Sequence, residues 1–406
     1  MSSLFVIGIF LCFFLAILLF SKKSPSLSDK VLGVWLMCIG VYLLNYYLHY
    51  LGYWEKYPHL VGVTHPFPML FAPFLYLYVS VCAREDQRFH WRDTLHFLPF
   101  VVGYIAMFPF LFGYSAEEKA ITDSADYHSD YQWFFTLSFI AFVVVSGVYF
   151  VLAYRKINHY ERVIGENFGY NEGISLQWLQ LLLLGFVAIV TVLVTVYVVE
   201  YSLEIDTGFN IEIIAFALFI LFIFAIGFWG IRYQGIFSAS GAGRVSHTGG
   251  MSRTGGVTNL SDKSDGADKV KEVEIFNNFE EETKAPEYRK SGLKAEEASE
   301  LHQQLLRLMQ TEKPYLEPKL SLAQLAERLG VLPNHLSQII NQYEEKNFYD
   351  FVNSYRVEEF IDLAKKDTDK NFNLLGLAFE AGFNSKSSFN QVFKKFKGKT
   401  PSEFLS

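Results

Sequence analysis

Cysteine is scarce in this chain of 406 residues, and each of the three cysteines lies inside an apolar run. Cys12, Cys38 and Cys82 show no metal-ligand spacing. Thiols in such surroundings behave as small hydrophobic side chains. We therefore predict neither a disulfide framework nor a zinc site.

Spacings that mark catalytic sites are also missing. The chain has no His-Glu-x-x-His pair, no Gly-rich phosphate loop and no recognisable Ser, His and Asp set. His90 and Asp93 form one short His-x-x-Asp match in a basic loop, where a solvated surface is a better interpretation than an acyl-transfer site. We predict no catalytic residue, no metal and no cofactor.

The formal net charge of −7 argues against nucleic-acid binding over the whole surface, but it does not bear on one local face. Apolar residues make up 51% of the chain, yet Gly, Ser, Asp and Lys dominate residues 238–268. The composition therefore predicts three regions: a membrane region at 1–234, a linker at 235–293 and a further domain at 294–406.

Seven apolar segments in the first region are about as long as the 20 residues that cross a bilayer. Each segment is too apolar for a surface helix, so we predict an all-α fold that begins with a seven-helix transmembrane bundle. The segments are 4–20, 31–53, 67–83, 94–114, 132–154, 176–201 and 211–233.

Basic residues are distributed unevenly between the connecting loops. None precedes the first segment, whereas Lys22 and Lys23 follow it directly, which favours an N-terminus outside the membrane. Nine basic residues then lie in inner loops and two in outer loops. The inner ones are Lys22, Lys23, Lys30, Arg84, Arg88, Arg92, Arg155, Lys156 and Arg162, and the outer ones are Lys56 and Lys119. An odd number of spans places the C-terminus in the cytoplasm.

Polar residues gather at the outer end of the predicted bundle. Ionisable groups at membrane depth are costly and often functional, so we take His49, Glu200 and Glu212 as a candidate ligand region. Solvation at span ends is the more ordinary interpretation of these side chains. No Lys lies in any span, which excludes a retinal Schiff base.

Residues 235–266 are rich in Gly, Ser and Thr, and the charged residues that follow add little that could form a core. This composition predicts a flexible linker. A flexible linker of about 60 residues has an r.m.s. reach of roughly 45 Å. We expect the C-terminal domain to be tethered near the membrane, and the linker is a candidate for release by proteolysis.

The C-terminal region contains one helical phrase twice. Leu-Ala-x-x-x-Gly occurs at 325–330 and again at 377–382, with an offset of 52 residues. In both places, a helix that ends at Gly precedes a second amphipathic segment, as in a helix-turn-helix unit. A helix over 348–366 joins the two units and spans about 28 Å, close to one turn of B-DNA.

The second helix of each unit is the candidate recognition helix, at 334–343 and at 386–396. The later one is rich in Lys, and no acidic residue lies between Ala381 and Pro401. Phosphate is the natural counterpart of such a local excess. The predicted phosphate contacts are Lys394, Lys395, Lys397 and Lys399.

This region resembles the arabinose-regulator (AraC/XylS) family of bacterial transcription activators. The matching residues are Leu-Ala-Glu-Arg-Leu-Gly at 325–330, His-Leu-Ser-Gln at 335–338, Phe-x-x-Phe-x-Asn-x-x-Arg at 348–356, Ala-Gly-Phe at 381–383, Phe-x-x-x-Phe-Lys-Lys at 389–395 and Gly-x-Thr-Pro at 398–401. The resemblance implies a double helix-turn-helix domain, and it leaves the membrane region unexplained.

The resemblance also implies which residues contact DNA bases. In the first unit these are Asn334, Ser337 and Gln338, and in the second unit they are Lys386, Ser387, Asn390 and Gln391. Asn and Gln can bind adenine in two-pronged fashion, and Lys can reach guanine. The chain departs from the family at Leu332, where a Ser N-cap is usual, and at both Gln positions, where Arg is frequent.

We expect a membrane-anchored regulator of transcription that is not an enzyme. Its expected partners are double-stranded promoter DNA, membrane lipid, RNA polymerase, an unknown signal ligand and, as an option, a second copy of the chain. The expected location is the bacterial inner membrane. The alternative is a seven-span transporter or membrane enzyme whose helical domain binds proteins.

Overall fold

A computed structural model describes residues 2–84, 88–122, 132–196, 198–199, 211–232, 295–366 and 373–405. Within these ranges the fold is all-helical, apart from one isolated antiparallel bridge between Phe168 and Ser321. The chain divides into two compact units. The first comprises Met1–His159 and Leu176–Thr248, and the second comprises Tyr160–Ser175 and Gly249–Ser406. The predicted linker, 235–293, lies outside the described residues.

The first unit consists mainly of apolar helices. In order, its described α-helices, of which the short α3 and α6 are polar, are α1 (Ser2–Phe20), α2 (Leu27–Tyr50), α3 (Tyr53–Lys56), α4 (Pro68–Cys82), α5 (Leu98–Gly113), α6 (Ala116–Thr122), α7 (Gln132–Asn167), α8 (Gln177–Val196) and α9 (Ile211–Arg232). The last residues of α7 belong to the second unit.

Five helices in the described ranges are long and apolar enough to cross a membrane, and two further apolar helices are shorter. The five are Ser3–Phe20, Leu27–Tyr50, Trp91–Gly113, Thr136–Asn167 and Gln177–Thr195, and the shorter ones are Pro68–Cys82 and Ala217–Trp229. Each of the seven predicted segments overlaps one of these helices. This set of helices fits a membrane-associated protein.

Helix α7 is longer than the span predicted from the sequence. The predicted end at residue 154 is where charged residues begin, but α7 continues to Asn167 and contains 36 residues, or about 54 Å. Charged residues end an apolar segment without ending a helix, because Arg, Lys and Glu are good helix formers.

Many large apolar side chains of the first unit face outward. Phe112, for example, is 74% exposed, and Phe10 and Ile105 are also exposed, whereas Trp35 and Leu36 are fully buried. Outward apolar surface on this scale is compatible with a lipid environment.

The short His-x-x-Asp match has a structural explanation. Asp93 is buried, and its carboxylate accepts hydrogen bonds from the Arg84 guanidinium and the His90 backbone amide, both at 2.9 Å. The carboxylate thereby satisfies the amide of the N-cap residue of a 3₁₀ helix, Trp91–Phe97.

Besides the end of α7, the second unit contains seven described α-helices around two apolar clusters. They are α10 (Ala295–Thr311), α11 (Leu322–Leu329), α12 (Pro333–Glu344), α13 (Phe348–Lys366), α14 (Leu374–Glu380), α15 (Lys386–Lys397) and α16 (Pro401–Leu405), with a 3₁₀ turn at Pro314–Leu316. Helix α13 joins the clusters, because Phe351 packs in the first and Phe360 packs in the second.

Candidate nucleic-acid interface

The two repeats of the Leu-Ala phrase form the same turn. Gly330 and Gly382 both have positive φ, at 67° and 91°. After α11, the Val331 amide donates to the Ala326 carbonyl, and after α14 the Phe383 amide donates to the Ala378 carbonyl, both at 3.0 Å. This bond, reaching back five residues, is the mark of a Schellman cap. The turn of the second helix-turn-helix unit therefore repeats the backbone geometry of the first.

The surroundings of the two turns differ. A Cβ added at Gly330 would meet nothing within 4 Å, whereas one added at Gly382 would lie 2.4 Å from the Tyr315 carbonyl oxygen and 2.9 Å from Leu316 Cα. The second turn is thus pressed against the backbone of the 3₁₀ turn.

The two candidate recognition helices, α12 and α15, begin differently. Ser385 caps α15, and its hydroxyl accepts a hydrogen bond from the Ser388 amide at 3.1 Å. Leu332 is the N-cap of α12, and its side chain makes no such bond. Pro333 at the first helical position has no backbone N–H, so one fewer donor needs a partner there. The departure from the family noted at Leu332 is therefore visible in the structure as a missing cap.

The residues predicted to contact bases lie on the outer faces of these helices. On α15, Lys386, Ser387, Asn390 and Gln391 are all exposed, while Ser388 and Phe389 between them are buried. Residues separated by three and four positions share one helix face, so Ser387, Asn390 and Gln391 form one polar surface.

On α12 the equivalent surface is less open. Asn334 is exposed, but Ser337 and Gln338 are only half-exposed, and the Asn341 amide lies 3.5 Å from the Ser337 hydroxyl. The structure therefore brings the predicted residues of each unit onto one face, and the second unit presents the fuller polar surface.

Two of the four predicted phosphate contacts are already paired with acidic residues of α13. Lys395 Nζ lies 2.6 Å from Asp350, and Lys397 Nζ lies 2.6 Å from Glu358. Lys394 and Lys399 are exposed. Sequence reasoning missed these pairs, because the acidic residues lie 45 and 39 positions earlier in the chain. Lys394 and Lys399 are the better candidates for contact with phosphate.

Arg356 is a buried charge at the centre of the second compact unit of the chain. Its guanidinium donates to the backbone carbonyls of Tyr315 (2.8 Å), Glu317 (2.6 Å) and Gly169 (2.6 Å). Burial lowers the pKa of Arg356 to about 10, so the group stays charged at neutral pH. In the sequence, Arg356 is part of a motif to which no role was assigned.

Residues Tyr160–Ser175 pack on this double helix-turn-helix domain, and we call them the docking segment. The Gly169 amide donates to the Leu320 carbonyl at 2.9 Å, and the Gly169 carbonyl accepts from Arg356 and from the Asn353 side chain. No sequence pattern indicated this contact, because Gly169 lies 187 positions before Arg356.

The same segment reaches the start of α15. Glu172 lies near the Ser388 backbone amide, which itself donates to the Ser385 hydroxyl. Burial raises the pKa of Glu172 above its ordinary value, and the nearby Ser388 backbone offsets part of that rise. Burial raises the pKa of Tyr349, whose side chain lies near Ser388 and the Glu172 charge. The docking segment therefore brings an acidic residue near the start of the second recognition helix.

The candidate ligand region is described only in part. His49 is half-buried, and its ring lies 4.3 Å from the Trp54 ring between centroids. Glu200 and the side chain of Glu212 lie outside the described residues. This region therefore stays a prediction.

Two adjoining helix-turn-helix units that share α13 define a DNA-binding class of domain. Residues 325–406, about a fifth of the chain, match the family model described as a helix-turn-helix domain. The match supports an AraC-type DNA-binding domain and indicates a DNA-binding transcription regulator. No curated protein and no solved structure matches the chain.

Proposed function

We propose that this chain is a membrane-anchored, sequence-specific regulator of transcription. The observation that carries the proposal is the exposed polar face of α15, which presents Ser387, Asn390 and Gln391 beside Lys386. A recognition helix reads base edges in the major groove from such a face, and bidentate amides supply discrimination between bases.

Helix α15 supplies the larger share of DNA affinity in this proposal, and α12 mainly sets the register. The second helix carries Lys386 and Lys394 on its exposed surface, and Lys399 follows it. The polar candidates on α12 are all uncharged. Cationic side chains release counterions from DNA and provide most non-specific affinity.

The first unit anchors the protein in this proposal. Seven apolar helices cross the bacterial inner membrane, with the N-terminus outside and the DNA-binding domain in the cytoplasm. The basic residues of the predicted inner loops support that orientation. The membrane region senses an external or membrane signal, and the DNA-binding domain adjusts recruitment of RNA polymerase at promoters, either as one chain or as a dimer.

Genome-wide mapping of DNA sites bound by the intact protein, followed by footprinting, tests this proposal. At a mapped site, Gln391→Ala should weaken binding by about 1–3 kcal/mol and relax preference at one base position. Lys394→Ala should instead weaken binding to all sequences alike and reduce the salt slope by about 1.

Gln310→Ala is the matched control, because Gln310 is an exposed glutamine of α10 and belongs to neither recognition helix. It should leave the footprint and the affinity unchanged. The absence of any site-specific footprint, or unchanged binding in Gln391→Ala and Lys386→Ala, would overturn the proposed function.

A further inference from the structure

The docking segment binds a polar site inside the double helix-turn-helix domain through its backbone. The Gly169 carbonyl accepts hydrogen bonds from the Arg356 guanidinium at 2.6 Å and from the Asn353 amide at 3.2 Å. The Gly169 amide donates to the Leu320 carbonyl at 2.9 Å. Arg356 and Asn353 are both buried, and buried donors are costly to leave unpaired. One residue of the segment is therefore fixed by three hydrogen bonds to the domain.

The same residue is tightly packed. Gly169 is buried, and a Cβ added there would lie 3.0 Å from Val352 Cγ1 and 3.2 Å from the Leu320 carbonyl oxygen. The Phe168 side chain is buried as well, and the antiparallel bridge pairs Phe168 with Ser321. A larger residue at position 169 displaces the segment or its neighbours, so the contact depends on this glycine.

The polar site keeps most of its hydrogen bonds when the segment is absent. The Arg356 guanidinium still has the two other backbone carbonyls that it binds and the Asn353 side-chain oxygen at 3.2 Å. The Asn353 amide still has the Tyr349 carbonyl at 2.8 Å. Water reaches the donors that the segment no longer covers, because its departure exposes them. The domain therefore stays folded without the segment, and docking is reversible.

The segment is joined covalently to the membrane region at both ends. Helix α7 ends at Asn167, directly before Phe168, and α8 begins at Gln177. Both helices are long and apolar enough to cross a membrane. The predicted linker, 235–293, joins α9 to α10 at another point of the chain. The docked segment is therefore a connection to the membrane region that is separate from the linker.

We propose that the docking segment is a second, non-covalent attachment of the DNA-binding domain, which holds this domain at the membrane region when the chain is cut within residues 235–293. The inference rests on the anchoring part of the proposed function. Cleavage of the linker is then insufficient for release, which also requires that Phe168 and Gly169 leave the Arg356 site. Movement of α7 or α8 acts on this second step, because the two helices flank the segment.

Controlled cleavage of the full chain tests the attachment. The recognition sequence of a site-specific protease is inserted between Gly255 and Gly256, and the chain, in lipid nanodiscs, is immobilised on resin by an N-terminal tag. After cleavage, the retained and released amounts of the C-terminal fragment are measured by blotting. We expect most of the wild-type fragment to stay on the resin. Release of most of it overturns the proposal.

Gly169→Asn is the variant that should release the fragment. Its side chain meets Val352 and the Leu320 carbonyl, and retention should weaken roughly tenfold, as expected for losing a hydrogen bond from a charged donor. Gly173→Asn is the matched control, because Gly173 is exposed, has open space around it and has a φ of 74°, which Asn tolerates. The control should stay on the resin. Equal retention of the two variants overturns the role of Gly169.

A reversible lock detects the docked contact even if Gly169→Asn fails to fold. A Cβ at position 169 would lie 3.4 Å from Val352 Cβ, close to the Cβ separation of about 3.8 Å in disulfides. After mild oxidation and cleavage, the double variant Gly169→Cys with Val352→Cys should run as linked fragments on a non-reducing gel, and reduction should separate them. Each single variant should give separate fragments. Separate fragments from the oxidised double variant overturn the docked contact.

Sedimentation of membranes tests the anchoring by itself. The uncut chain should be found in the membrane pellet. If it is not, the anchoring part of the proposed function fails, whereas retention on the resin still decides the docking. A chain that sediments uncut but loses its C-terminal fragment from the pellet after cleavage refutes the second attachment alone.

Discussion

The two helix-turn-helix units begin from one phrase and end in different surroundings. Both turn at a glycine with positive φ and both close with the same backbone hydrogen bond. The first turn is open to solvent, and its recognition helix starts without a side-chain cap. The second turn is packed against backbone, and its recognition helix starts with a serine cap.

The repeated phrase determines the backbone geometry of each turn, but it does not determine how much each turn contributes to the stability of the domain. Gly330 is required only for its backbone conformation, whereas Gly382 is required for its conformation and for its lack of a side chain. The helix starts differ in the same way, because Leu332 and Ser385 occupy equivalent caps with unequal hydrogen bonding. Substitutions at matched positions should therefore have unequal effects.

The largest effect is expected at the paired glycines. Gly382→Ala combines a strained backbone with a Cβ 2.4 Å from the Tyr315 carbonyl oxygen. It should therefore destabilise the second helix-turn-helix unit by roughly 3 kcal/mol or more. Gly330→Ala meets no atom within 4 Å and should cost only about 1 kcal/mol of backbone strain.

Hydrogen exchange of the full chain, with peptides from α11–α12 and α14–α15 followed separately, measures both changes. Gly398→Ala is the control, because Gly398 also has a positive φ of 72° and open space around its Cα. It should behave like Gly330→Ala. Equal losses at Gly330 and Gly382 would show that packing against the 3₁₀ turn adds nothing.

The sequence was sufficient for the parts of this domain that depend on neighbours in the chain. The Gly turns, Pro333 at a helix start and the missing cap at Leu332 all follow from residues within a few positions. The all-α class follows from the apolar segments and the doubled phrase.

Contacts between distant residues were not predictable from those patterns. The pairing of Lys395 with Asp350 depends on how α15 crosses α13, and the Arg356 network depends on a carbonyl from the docking segment. The sequence-based division at residues 234 and 294 gave the docking segment no separate role. Local periodicity carries no information about which distant backbone a buried arginine will bind.

The N-caps provide the next, smaller comparison. Leu332 has φ −74° and ψ 142°, which suits a serine N-cap, and its side chain is 63% exposed. Leu332→Ser should therefore stabilise the first unit by about 1 kcal/mol, and Ser385→Ala should destabilise the second by a similar amount.

Protection of α12 and α15 peptides from hydrogen exchange measures both changes, and Leu332→Ala is the control that removes the leucine without adding a cap. The interpretation holds only if the Leu332→Ser variant is more stable than the Leu332→Ala variant. If the two variants are equally stable, the first recognition helix is capped in another way, and the contrast between the helix starts disappears.

The smallest expected effect is a loss of stability at low pH. It tests whether the two helix-turn-helix units lose stability together. Burial alone would raise the pKa of Glu359, but hydrogen bonds from Lys313 and Tyr315, at 2.8 and 2.9 Å to one carboxylate oxygen, outweigh it and lower the pKa. A depressed pKa in the folded state gives stability that is complete above the ordinary value of 4.5 and is lost as pH falls further.

Tyr315 packs in the first apolar cluster, and its carbonyl lies against Gly382 of the second unit. Peptides of both units should therefore lose protection together below about pH 4.5, after correction for intrinsic exchange rates, by about 1 kcal/mol or less. Glu359→Gln should flatten this dependence in both units. Glu358→Gln is the matched control, because its exposed pair with Lys397 contributes little. A loss of protection in only one helix-turn-helix unit would mean that the 3₁₀ turn does not couple the two units. The two repeats would then differ in surroundings and also unfold independently.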